Sequence, residues 1–175
     1  MTGVQTVLFR SDSDVAVRYQ SAAALGYIGP SASSSAPQLG HLLHDRDTMV
    51  ASYSGAALGR IGPRSVSALP DLIWVINKRR EAFPTEEDPT PVQNAVYTLG
   101  VIGKPARPAV PYLIPLLKDG SVSRYVVKAL GEIGDVSALP ALERLHPSDG
   151  DPDLRSAIST SVARLKINSR KSPNG

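Results

Sequence analysis

Ala24-Leu-Gly-Tyr-Ile-Gly29 returns as Ala57-Leu-Gly-Arg-Ile-Gly62, again as Thr98-Leu-Gly-Val-Ile-Gly103, and again as Ala129-Leu-Gly-Glu-Ile-Gly134. The motif leucines Leu25, Leu58, Leu99 and Leu130 stand 33, 41 and 31 residues apart, and a degenerate copy without the glycines, Ser161-Val-Ala-Arg-Leu165, follows. Self-similarity at such a period marks a chain built from stacked supersecondary units, each too small to bury its own apolar face. The fold is therefore read from one unit and its neighbours rather than from one central core.

The residues before each motif predict a helix. In the first unit Val17, Ser21, Leu25 and Ile28 fall at i, i+4, i+8 and i+11, one face of a 3.6-residue period. Acidic or turn-forming stretches precede these helices: Ser11-Asp-Ser-Asp14, Asp45-Arg-Asp47, Glu86-Glu-Asp-Pro89, Asp119-Gly120 and Asp149-Gly-Asp-Pro-Asp153. Asp and Ser there accept backbone N–H groups that have no helical partner, worth about 1 kcal/mol each. The first motif glycine predicts close helix approach, and the second predicts a left-handed helix end that most other residues cannot adopt.

Downstream of each motif a second helix opens on a proline: Pro37, Pro70, Pro111 or Pro140. Proline is tolerated in a first turn because its missing N–H would have no partner there. Counted from that proline, positions −1, +2, +5 and +6 are apolar: Leu69, Leu72, Val75 and Ile76 in the second unit, and Val110, Leu113, Leu116 and Leu117 in the third. The fourth has Leu139, Leu142 and Leu145, with His146 at the last place. Each unit is thus helix A, tight turn, helix B.

Val17-Arg18 followed by Ala24-Leu-Gly-x-Ile-Gly29 and a Pro-x-Leu helix resembles the HEAT repeats of the phycobilisome-lyase type, over about residues 12–166. The resemblance implies an all-α, right-handed α-α superhelix of about four full HEAT-like helix pairs with partial repeats at both ends. Units of about 12–44, 45–85, 86–118 and 119–148 precede a terminal helix over 152–166. Val4, Val7 and Leu8 predict an N-terminal half-repeat helix within 1–11, and 167–175 reads as a disordered basic tail. The 41-residue spacing places an insertion within 77–89, read either as a lengthened second helix with a passive loop or as a binding edge.

Composition restricts the function classes. With no cysteine, disulfides and thiolate metal sites are excluded. The N-terminus lacks the pattern of a signal peptide, and no run approaches the ~20 apolar residues of a membrane helix, so a cytoplasmic protein with no membrane partner is expected. The net charge is +3, but Arg164, Lys166, Arg170 and Lys171 lie near the C-terminus with no acid after Arg164. The remainder is close to neutral, so no nucleic-acid partner is expected.

No catalytic residue, cofactor or metal site is expected. His41 and His44 share a helical face at metal-ligand spacing, with Asp45 or Asp47 as the nearest carboxylates, but helix-end histidines also complement the helix dipole. The iron ligands of HEAT-repeat hydroxylases are His-Glu pairs, and no His-Glu dipeptide occurs here. There is no nucleophile motif or phosphate-cradling loop. Trp74 with Asp71 superficially suits a HEAT-like glycosylase, which would also need a basic groove.

By resemblance, the second helices line the concave face. Positions +1, +4 and +8 from the helix-B prolines place Gln38 and His41, then Asp71, Trp74 and Lys78, then Tyr112 with Pro115, then Ala141 with Arg144. Trp, Tyr and Arg are the residues that most often anchor interfaces. Gln38, His41, Asp71, Trp74, Lys78, Tyr112 and Arg144 are the expected contact residues. The competing reading packs Trp74, the only tryptophan, against the neighbouring repeat. The expected function is a non-catalytic scaffold binding a peptide or partner protein. The alternative, from the repeat subtype alone, is a phycobilin lyase-like or isomerase subunit. A second candidate surface is the ridge of A–B turns carrying Arg60, Arg64, Lys104 and Arg107, read either as a site for an acidic partner or, preferably, as helix-end cations that complement the dipole.

Overall fold

The computed structural model describes residues 14–82, 88, 90–145 and 151–171. Helices α1 (Val15–Ile28), α3 (Thr48–Ile61), α5 (Thr90–Ile102), α7 (Ser123–Ile133) and α9 (Pro152–Lys171) are the A helices. The B helices are α2 (Ala36–Leu42), α4 (Leu69–Ala82), α6 (Val110–Leu113, continued by a 3-10 segment Ile114–Lys118) and α8 (Leu139–Glu143). A helices stack in chain order, each on the next, and each B helix packs against the A helix that follows it. This is an α-α solenoid, with no strand among the described residues. None of the described helices is long and apolar enough to cross a membrane.

The two apolar stripes explain the stacking. Positions −1, +2, +5 and +6 of the first B unit, Ala36, Leu39, Leu42 and Leu43, are all buried, as are Leu72, Val75 and Ile76 in the second. Burying each such side chain contributes roughly 1.5–3 kcal/mol, and neither helix could do it alone. His146, expected to complete the fourth stripe, and the helix expected within 1–11 lie outside the described residues.

The A-helix stripe is buried inside the stack but not at its first helix. Val50, Ser54, Leu58 and Ile61 are almost fully buried, yet their counterparts Val17 and Ile28 are 40% and 57% exposed. Leu25 and Ser21 are half-buried. The stripe expected for the first unit is thus corrected: α1 buries Ala22 and Gly26, the side turned to α3. On its other flank no described helix packs against it.

Caps and polar ties set the spacing. Asp14, Asp47 and Asp135 accept backbone N–H groups at the starts of α1, α3 and the turn before α8. Arg18 reaches Asp45 in the next turn through two nitrogens, at 2.8 and 3.2 Å, and both side chains are largely buried. Between A helices, Thr98 Oγ1 donates to the Gly55 carbonyl at 3.1 Å, and Asn94 Nδ2 to that of Ser52 at 2.9 Å.

Two further expectations change. The glycines closing the A helices do have positive φ, but only Gly134 is in the left-handed helical region. Gly29 and Gly62 have ψ near −140° (−136° and −148°), the mirror-extended region open only to glycine, which carries the chain straight into a 3-10 turn. The terminal helix was expected to end at Lys166, with a disordered tail from 167; instead α9 runs to Lys171. Asn168 Nδ2 holds it there by donating to the Gly134 carbonyl at 3.1 Å. In the second unit α4 runs to Ala82, into the 77–89 insertion; 83–87 and 89, on which the choice between a passive loop and a binding edge falls, lie outside the described residues.

Candidate functional site

The B-helix face is assembled from close approach. A Cβ at Gly40 of α2 would stand 3.2 Å from Ala68 Cβ and collide with the Asp71 carboxylate, so glycine there lets α2 sit this close to the start of α4 without displacing Asp71. Asp71 lies in the first turn of α4, where the helix dipole favours a carboxylate. Across the contact His44, in the turn ending α2, places Nε2 2.8 Å from Asp71 Oδ1. Its ring packs 4.1 Å from the Trp74 ring, tilted by 36°. Trp74 is half-buried and packs on the core. It therefore does both things that the sequence opposed: it joins neighbouring repeats and still presents part of its surface.

The other expected residues are placed as follows. Gln38 is half-buried, and His41 is exposed at the last turn of α2. Lys78 pairs with Glu81 at 2.8 Å, one turn on, and both are exposed, so the pair adds little stability. Tyr112 of α6 is 41% exposed, and Arg144, at the end of α8, is exposed. The structure thus brings Asp71 and Trp74 together and leaves Gln38, His41, Tyr112 and Arg144 strung along successive B helices. His44 is the member that sequence reading missed. It stands at +7 from Pro37, between the counted positions, and a His three residues after His41 was the available signal.

Three of the four side chains considered for metal have other partners. Asp45 holds Arg18, Asp47 caps α3 and His44 meets Asp71. Among the described residues no group of three His, Cys, Asp or Glu side chains could hold a metal ion. The chemistry of this face is an aromatic platform fixed by an imidazole that a carboxylate orients. Such a constellation suits recognition, because its rotamers are set before a ligand arrives.

On the turn ridge, Arg60 lies 5.0 Å from the centre of the Tyr27 ring, and Arg107 is 3.7 Å from Asp135. Partial burial pushes the Asp135 carboxyl up, but hydrogen bonds from the Ser137 backbone and side chain, with the Arg107 charge, hold it below the usual 3.8.

Comparison with known proteins addresses the fold. A designed armadillo-repeat protein in complex with the peptide (KR)4 superposes with a TM-score of 0.72, covering 91% of this chain and 80% of that one at 18% identity. An engineered protein covers 94% and 96% at 17% identity with a TM-score of 0.46, and another designed armadillo-repeat protein 92% and 98% at 16% with 0.39. No curated protein matches the chain. The family model for HEAT repeats matches residues 76–163, half of the sequence, and the chain belongs to the HEAT-repeat family.

Proposed function

We propose that the protein is a non-catalytic scaffold that holds a peptide or partner protein along its B-helix face, centred on Trp74. The carrying observation is the Trp74 ring, set against His44 while Asp71 fixes the imidazole, and still partly exposed. Tyr112 extends this surface onto the next B helix. The designed armadillo-repeat protein with its bound (KR)4 peptide supports the reading, since it has the same architecture and holds a peptide. Replacing Trp74 and Tyr112 together with Ala tests it. Far-UV circular dichroism should show retained helicity, while a partner captured from native extract by the parent protein should be lost. Equal capture by the variant would contradict the assignment.

The bilin-lyase reading rests on the Leu-Gly-x-Ile-Gly repeat subtype alone. Incubation with bilin and an apo-phycobiliprotein tests it: a spectral shift of the acceptor supports it, and an unchanged spectrum counts against it.

A further inference from the structure

A groove of about 770 Å³ opens on the side of the stack formed by the A helices, and no B-helix residue lines it. Gly100, Ala129, Ala157 and Ser161 are among the small residues that line it, and the helices that carry them pack closely. A Cβ on Gly100 of α5 would stand 3.0 Å from Ala129 Cα, and Gly131 of α7 meets Ser161 of α9 as closely. Ser161 in turn donates its hydroxyl to the Val127 carbonyl at 3.0 Å. Because these backbones nearly touch, the longer side chains of the three helices stand up as walls.

Those walls carry Arg124, Lys128 and Arg164 against Glu132 and Asp153. Arg164 pairs with Glu132, and Arg124 stands 3.9 Å from Asp153. Lys128 is exposed and has no ion pair among the described residues. The lining therefore has one ammonium in excess, and it also holds Tyr97 and Tyr125, which are 56% and 38% exposed.

The same face in the first half of the stack has already made its contacts. There the Tyr19 and Tyr53 rings lie 5.3 Å apart, and the Arg60 guanidinium covers Tyr27. Tyr97 and Tyr125 make no such ring or cation contact among the described residues. Equivalent chemistry is thus spent internally on α1 and α3 and left open across α5, α7 and α9.

We propose that this groove binds an acidic peptide segment, with a Glu or Asp carboxylate on Lys128 Nζ and its backbone and aliphatic groups against Tyr97 and Tyr125. The excess positive charge favours a carboxylate. Glu132 and Asp153 disfavour nucleic acid, which brings a phosphate at every nucleotide, whereas a peptide can space its acids away from them. The face is opposite to Trp74, so this site stands or falls independently of the scaffold reading above.

Fluorescence anisotropy of a short fluorescein-labelled oligoglutamate, titrated with the full chain at low salt, tests it. The peptide should bind and weaken as salt rises, while oligolysine and oligothymidylate should not bind. Lys128→Glu should weaken binding about tenfold, and Lys128→Gln by a smaller factor at an unchanged melting temperature. Should Lys128→Glu fail to fold, the loss of affinity in Lys128→Gln decides the question. Arg64→Glu, the same charge change on an exposed turn, and Trp74→Ala should leave the affinity unaltered. Absent oligoglutamate binding, equal binding of oligothymidylate, or an equal loss in Arg64→Glu would overturn the proposal.

Discussion

The first A helix and the inner A helices have the same sequence pattern and different surroundings. Ile28 is 57% exposed, while Ile61, Ile102 and Ile133, at the same motif position, are 1%, 3% and 1% exposed. The side chains are identical, so the difference belongs to the stack: an A helix hides its stripe only where another helix lies on the preceding side. In a repeat protein the energetic value of a residue is set by its place in the array as much as by its type.

The largest break in that comparison should come from the interior. Leu99→Ala removes a fully buried side chain between α3 and α7 and should cost about 2–5 kcal/mol in a denaturant titration. Gly100→Ala should cost about 1–3 kcal/mol, because its Cβ would press on the α7 backbone at Ala129, which has no flexible end to yield.

The caps sharpen the comparison on a smaller scale. Asp135→Ala should cost about 1 kcal/mol at neutral pH, through the lost turn cap. Its folded carboxyl is held below 3.8, so its contribution is present above that value and lost as pH falls through the lower folded one. The stabilities of parent and variant should therefore begin to converge as pH falls below about 3.8, and a constant gap down to strong acid would contradict the assignment. Least of all, Ile28→Ala should change stability by about 0.5 kcal/mol or less, as at an ordinary surface site, whereas Ile61→Ala should cost several times more.

Most of the fold was legible because the repeat prints its geometry four times. The prolines marked the B helices, the aspartates marked the caps, and the Leu-Gly-x-Ile-Gly glycines marked close approach and helix ends. What was illegible depended on contacts between units. The exposure of Ile28 follows from what lies beside α1, and the extra length of α9 follows from Asn168 reaching Gly134 in the preceding unit. The candidate site divides in the same way. Trp74, Asp71 and Tyr112 could be placed on the B face from their register, but His44 joins them only through the approach that Gly40 allows. The A-side groove was missed because its open tyrosines and Lys128 differ from the paired ones on α1 and α3 only in their partners on neighbouring helices.

The central claim is that each unit is completed by its neighbours, which sets the Trp74 platform of α4 on the fixed interior of the stack and leaves α1 with one flank uncovered by any described helix. Native-state amide hydrogen exchange resolved along the chain tests this most directly. The account predicts the slowest exchange in α3, α5 and α7, with α1 opening at markedly lower free energy. Uniform protection across the helices, or α1 among the slowest, would contradict it.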